Sequence, residues 1–140
     1  TDATHLDMET VQQSIADSAR YDIFTLTDAM LAGDRVRSLR ILNGLRSEGN
    51  EMPVILWAVA REIRQLATLA AQVEQGQSVN QVTSRVWPAN RKPLVQRALQ
   101  RQRSSHWNQL LQSAQTIDEQ AKGQQAGDPW LGLQQILLAF

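Results

Sequence analysis

The sequence predicts an all-α protein, an antiparallel helical bundle of about eight helices. Apolar residues recur three and four positions apart along most of the 140 residues, and this spacing places them on one face of a helix. No run of residues combines strict apolar–polar alternation with the β-branched residues typical of a strand. Hydrophobic residues make up 42% of the chain, which is enough to form a packed core.

Helix boundaries in the first half of the chain are predicted by acidic caps and by glycines. Asp7 and Asp34 are suitable N-caps, because a short acidic side chain can accept a hydrogen bond from the first helical turn. Helix ends are predicted at Gly33, Gly49 and Gly76, since glycine adopts the left-handed conformation found after a helix. The first three apolar stripes are Met8, Val11 and Ile15; Ile23, Leu26, Thr27, Met30 and Leu31; and Val36, Leu39, Leu42 and Leu45.

The fourth predicted helix has the most regular pattern in the chain. Pro53 lies in its first turn, where a missing backbone N–H is tolerated. Alternating spacings of four and three form a heptad seam, which packs along another helix at a shallow angle. At about 1.5 Å per residue, about twenty residues give a helix of roughly 30 Å, which we expect at the centre of the bundle. The seam comprises Met52, Leu56, Val59, Ile63, Leu66, Ala70 and Val73.

Shorter helices are predicted in the second half. One follows Ser78 and ends before Trp87-Pro88, because a residue that precedes proline avoids helical geometry. Another runs from about Asn90 to Gln102, and a third is capped by Ser104 or Ser105. Asp128-Pro129 gives the last helix a cap and a first residue. The apolar stripes are Val79, Val82 and Val86; Leu94, Val95, Ala98 and Leu99; Trp107, Leu110, Leu111, Ala114, Ile117 and Ala121; and Trp130, Leu133, Leu137 and Phe140.

Composition excludes several functional classes. The chain has no cysteine, so disulfides, thiolate metal sites and cysteine nucleophiles are excluded, and a reducing cytoplasm is the expected location. Arg61, Glu62 and Arg64 interrupt the longest apolar region, so we expect an amphipathic helix there and no membrane partner. The formal net charge is zero, and overall charge therefore identifies no partner.

The sequence contains no recognisable catalytic, cofactor or metal site. Neither Lys92 nor Lys122 follows the glycine-rich pattern of a phosphate-binding loop. His5 has only sparse acidic neighbours, which is typical of an exposed terminus, and His106 is interpreted as a surface or capping residue. Glu62 lies off the heptad seam and is interpreted as a solvated residue that pairs with nearby arginines.

Tryptophans and basic residues supply the candidate contact residues. Trp57, Trp107 and Trp130 lie on or beside apolar stripes and are expected in the core, whereas Trp87 lies at a helix break and is the candidate exposed aromatic. No acidic residue occurs between Glu74 and Asp118. Cations in this interval are candidates for contact with DNA or an acidic partner, or else solvate the borders of an apolar stripe. They are Arg85, Arg91, Lys92, Arg97, Arg101 and Arg103.

Several of these residues together resemble a known family. The order and spacing of two motifs, followed by Pro53 and the long helix, are similar to the C-terminal domain of delta subunits of bacterial DNA polymerase III. The motifs are Phe24-x-Leu26-x-Asp28-Ala29-x-Leu31-x-Gly33-Asp34 and Leu39-x-Ile41-Leu42-x-x-Leu45-x-x-Glu48-Gly49. Trp87, Lys122-Gly123 and Trp130 fit the same pattern, and residues Leu6 to Arg20 resemble the end of the family's lid-like domain.

The resemblance implies a collar-like domain at residues 21–140 that joins sister subunits of a clamp loader, preceded at 1–20 by the tail end of a lid-like domain. The implied partners are gamma/tau and delta-prime type subunits and, in the full complex, primed DNA. The sliding clamp would be contacted only through an N-terminal domain outside this chain, and the fragment itself would not be an enzyme, although its parent subunit belongs to the polymerase holoenzyme.

Two alternatives from other classes remain open at this point. One is a generic helical protein–protein interaction domain unrelated to replication. The other is a small helical enzyme that acts through Glu62 or His106.

Overall fold

The structure is a computed structural model that describes residues 8–11 and 22–140. These residues form helices and connecting turns with no strand, which confirms the predicted all-α class. The helices are α1 (residues 22–31), α2 (Arg35–Ser47), α3 (Met52–Glu74), α4 (Val79–Val82), α5 (Lys92–Arg101), α6 (Ser104–Ala121) and α7 (Pro129–Leu138), with a 3-10 turn at Ala89–Arg91 and a helical turn at residues 8–11. The predictions for His5, Asp7, Ile15 and the domain boundary near residue 20 lie outside the described residues.

Predicted caps and stops define most of the helix ends. Asp34 Oδ1 accepts a hydrogen bond from the Arg37 backbone N–H at 3.1 Å, and Asp128 Oδ1 accepts one from the Trp130 N–H at 3.0 Å. Gly33, with φ of 74°, follows α1 in the left-handed conformation predicted for it. Local sequence patterns therefore fix where these helices begin and end.

Long antiparallel contacts organise the bundle around α3. Glu74 at the end of α3 lies beside Ser104 at the start of α6, so these two helices run in opposite directions. Helix α7 packs antiparallel on α6, and a Cβ atom at Gly132 would lie 2.8 Å from Cγ1 of Ile117. The missing side chain at Gly132 therefore allows α6 and α7 to approach closely. Helix α3 also contacts α4, α5 and α7, which places it at the centre as predicted.

The core contains the predicted heptad seam apart from its last residue and most of the other stripes, although Val36 of the third stripe is 69% exposed. Trp107 is fully buried, and its ring centroid lies 4.9 Å from that of Phe140. Leu39 and Leu111 are only half-buried at the edge of the core. The other predicted core residues are buried: Leu42, Leu45, Leu56, Val59, Ile63, Leu66, Leu110, Leu133 and Leu137.

Tryptophan placement was predicted incorrectly at one of the three expected core positions. Trp57 is 64% exposed, because Leu56 occupies the seam and the next residue along a helix points about 100° away from it. Trp130 is half-buried, and the guanidinium carbon of Arg46 lies 4.9 Å from its ring centroid. Of these three tryptophans, Trp107 alone is fully buried.

Helical structure between α3 and α6 also departs from the prediction. Helix α4 ends at Val82, and Val86 reaches the core from the turn that follows it. The helix expected from Asn90 starts as a 3-10 turn. Neither Ser104 nor Ser105 is the N-cap of α6, because Ser104 is already helical and the preceding Arg103 makes no side-chain cap.

Candidate protein and nucleic-acid interfaces

Across the described part of the chain, no group of three or more histidine, aspartate or glutamate side chains is placed to hold a metal ion. The helices there are also too short or too polar to cross a bilayer. The most prominent surface features are two exposed tryptophans, Trp57 on α3 and Trp87 between α4 and α5. They define two candidate interfaces.

The first interface is an apolar groove of about 270 Å³ between α3 and α6. Trp57 lies on its wall, and Val54, one turn away on the same helix, is 53% exposed. The guanidinium carbon of Arg61 lies 5.5 Å from the Trp57 ring centroid, within cation–π range. We call this region the α3–α6 surface; the groove residues are Pro53, Leu56, Trp57, Ala60, Arg64, Leu111, Ala114, Gln115 and Asp118.

The second interface is the Trp87 loop, residues 83–91. Its residues 87–90 are all exposed, and Trp87 itself is 84% exposed. Thr83 is buried at the start of the loop, where its hydroxyl donates to the Val79 carbonyl at 2.7 Å and accepts from Gln96 Nε2 at 3.0 Å. Val86 is 6% exposed. The loop therefore presents a large aromatic side chain to solvent from a packed base.

Arg91, one of the six candidate cations, closes the loop with two ion pairs inside the domain. Its Nε lies 3.0 Å from Asp28 Oδ1 on α1, and its Nη2 lies 2.8 Å from Glu62 Oε1 on α3. The side chains of Arg91 and Glu62 are only 17% and 12% exposed. The interpretation of Glu62 as a solvated residue was therefore wrong, because a distant arginine neutralises it at the edge of the core.

Arg101 is bound to backbone carbonyls. Its Nη2 donates to the Leu31 carbonyl at 2.9 Å and its Nε to the Phe140 carbonyl at 3.3 Å. Burial lowers the pKa of Arg101, and the charge of Arg35 lowers it further, although an arginine remains charged at neutral pH. This side chain connects α5 to the last residue of α1 and to Phe140, two residues beyond the end of α7.

Arg103 takes part in an N-terminal cap that comes from another helix. Glu74 Oε1 accepts hydrogen bonds from Arg103 Nε at 3.2 Å and from the Ser104 backbone N–H at 3.4 Å. Hydrogen bonds from Ser104 and from Arg103 lower the pKa of Glu74, with the Ser104 contribution the larger and partial burial opposing it. A carboxylate at the end of α3 thus caps α6 in place of the predicted serine.

Arg85, Lys92 and Arg97 remain as uncompensated charges. None of the three has a hydrogen-bond or ion-pair partner among the residues that the structure describes. Arg85 and Arg97 are exposed and Lys92 is half-buried. The six cations thus divide into three that are engaged by groups within the domain and three that remain available to a partner.

His106 also has a structural contact. Its Nε2 lies 2.8 Å from the Ala139 carbonyl oxygen, and its ring meets Trp107 edge-on at 5.2 Å between centroids. It therefore links α6 to the end of α7, and the contact lies at the C-terminus of α7 and not at the start of its own helix. No carboxylate pairs with His106 within residues 22–140.

Residues 20–140 match the family model described as DNA polymerase III delta subunit, C-terminal domain. Over 67 residues the chain is 37% identical to DNA polymerase III subunit delta of Escherichia coli (strain K12). The matched stretch is 48% of this chain and covers a fifth of the length of that relative (20%).

Proposed function

Because the chain belongs to the family of C-terminal domains of DNA polymerase III delta subunits, we propose that it is an assembly domain of a replication clamp loader. In this role it joins sister subunits of the gamma/tau and delta-prime types in the collar of the complex that loads the sliding clamp on primed DNA. The domain occupies residues 21–140, and it binds other proteins and catalyses no reaction itself.

The α3–α6 surface carries this proposal. An exposed tryptophan beside an apolar groove, with an arginine stacked on it, combines the residue types that dominate the energetics of protein interfaces. Trp57 is 64% exposed although the seam beside it is buried. The core of the domain is thus complete without Trp57, and its apolar area is available to a partner.

Two observations favour this role over the alternatives. Glu62 and His106, on which a helical enzyme would depend, are engaged by Arg91 and by the Ala139 carbonyl. Membership of the delta family favours a clamp-loader partner over an interaction domain unrelated to replication.

The assembly role is tested by mixing the intact subunit with its sister clamp-loader subunits. We expect a complex of defined stoichiometry at micromolar concentrations, measured by light scattering after size-exclusion chromatography. The sister subunits without this protein are the control, since they establish the mass of the incomplete assembly. A mixture whose mass equals that of the separate components would reject the assembly role.

We also propose that the Trp87 loop and its neighbouring cations contact primed DNA in the assembled loader. Trp87 is 84% exposed, and an aromatic ring at such a position can stack on an unpaired base. Arg85, Lys92 and Arg97 lack partners within the described domain, so they can neutralise phosphates without breaking an internal ion pair.

Replacement of Arg85 and Arg97 by alanine is expected to weaken primed-DNA binding and to reduce its salt dependence. Each lost phosphate contact lowers the slope of log affinity against log salt concentration by roughly one unit. Binding of labelled primed DNA to the assembled loader is measured across a salt series. Arg37→Ala is the matched control, because Arg37 is an exposed arginine on α2. Equal slopes for all three proteins, with the complex intact, would contradict the DNA contact.

A further inference from the structure

The exposed part of the Trp87 loop is held at both of its ends. Residues 87–90 are exposed, whereas the flanking Val86 is 6% exposed and the Arg91 side chain 17%. Val86 packs in the core by apolar contact, which has little directional preference. Arg91 is held by ion pairs, which are directional. The orientation of the loop is therefore set mainly at its Arg91 end.

Arg91 connects this loop to two separate helices. Its guanidinium donates from Nε to Asp28 on α1 and from Nη2 to Glu62 on α3, at 3.0 and 2.8 Å. The group is planar and its donors have fixed directions, so two carboxylates on different helices fix its orientation. The Arg91 backbone N–H donates to the Pro88 carbonyl at 3.0 Å. That hydrogen bond fixes Pro88, the residue next to Trp87, relative to Arg91.

The ion pairs of Arg91 orient the Trp87 loop but add little to the free energy of unfolding. Glu62 Oε2 is buried and has no hydrogen-bond partner within the described residues. Desolvation of a buried ion pair offsets much of its Coulombic attraction, and an unpaired carboxylate oxygen adds to that penalty. Apolar residues in place of the ion-paired side chains would stabilise the bundle equally well, but they would not orient the loop.

We propose that Arg91, held by Asp28 and Glu62, is a positioning residue that orients Trp87 towards nucleic acid and does not itself bind phosphate. The inference rests on the proposed contact between the Trp87 loop and DNA. It reassigns Arg91 from the group of candidate phosphate contacts to the support of the loop, because its guanidinium is paired with two carboxylates and its side chain is only 17% exposed.

The direction in which Glu62→Gln changes DNA affinity distinguishes a positioning role from a purely Coulombic effect. Glu62→Gln removes a negative charge from a protein that binds a polyanion, so Coulombic effects alone predict equal or tighter binding. A positioning role predicts weaker binding, since a neutral amide holds the Arg91 guanidinium less firmly than the Glu62 carboxylate does. Arg91→Lys retains the charge but cannot reproduce the two-carboxylate geometry, and it should weaken binding in the same way.

The experiment measures binding of fluorescein-labelled primed DNA to the assembled loader by anisotropy across a salt series. The variants are Glu62→Gln, Arg91→Lys, Trp87→Ala and the milder Asp28→Asn, whose side chain is 47% exposed in the wild type. Loss of the Trp87 stack should weaken binding roughly five- to hundredfold. We expect Glu62→Gln and Arg91→Lys to weaken DNA binding almost as much as Trp87→Ala does. The slope of log affinity against log salt concentration should stay the same in both variants. In the Trp87→Ala background they should cause little further loss, because they act through Trp87.

Glu48→Gln is the control, since it removes an exposed carboxylate on another part of the surface. Tighter binding by Glu62→Gln, together with an affinity and a salt slope like those of the wild type in Arg91→Lys, would mean that the cation at position 91 contacts phosphate directly and would overturn the inference. A lower unfolding midpoint with unchanged DNA affinity in Glu62→Gln and Asp28→Asn would show a merely structural role and also overturn it. If Trp87→Ala binds DNA like the wild type, the proposed DNA contact fails as well.

Discussion

Ile63→Ala is expected to lower the free energy of unfolding by about 2–5 kcal/mol. Ile63 is completely buried in α3, on the seam that faces the rest of the bundle. Truncation removes apolar contacts and leaves a cavity that neighbouring helices can fill only in part. Urea unfolding followed by circular dichroism measures the change as a lower midpoint with an unchanged denaturant slope. Leu56→Ala, earlier on the same seam, should behave similarly.

Val54→Ala provides the matched control on the same helix. Val54 is 53% exposed, so its truncation should change stability by less than about 0.5 kcal/mol. An unfolding midpoint unaffected by Ile63→Ala would mean that the seam does not face a core. Equal losses for the two variants would contradict the assignment of buried and exposed faces on α3.

Local patterns were sufficient to predict most of the fold. The alternating spacings of α3 identified its buried face, and Asp34 and Asp128 identified two helix starts. These signals act over one or two helical turns, so they are visible in a linear sequence. The cap of α6 was missed because its acceptor, Glu74, lies on another helix about thirty residues earlier.

From the sequence alone it was harder to distinguish residues available to a partner from residues that are engaged within the domain. The six cations have similar local surroundings, but the acceptors that engage Arg91 and Arg101 lie 29 to 70 residues away. Only tertiary structure shows which guanidinium groups are already paired. Trp57 could have been recognised, because the seam runs through Leu56 and Val59 and leaves Trp57 outside it. Its proximity to apolar residues was wrongly taken as a sign of burial.

Trp57→Ala is expected to weaken assembly of the intact subunit with its sister subunits by at least about 2 kcal/mol, or roughly thirtyfold in the dissociation constant. The exposed ring supplies the largest apolar area at the groove between α3 and α6. A partner that covers it gains this buried area and shields the Arg61 contact from solvent. Folding should be nearly unaffected, because the side chain contributes little to the core.

Trp87→Ala is the matched control, since it removes the other exposed tryptophan from a different surface. The most direct test of the assembly role is the dissociation constant for sister subunits, measured by sedimentation for the wild type and both variants. We predict that Trp57→Ala raises this constant roughly thirtyfold while Trp87→Ala leaves it unchanged. Equal dissociation constants for the wild type and Trp57→Ala would contradict assembly through the α3–α6 surface.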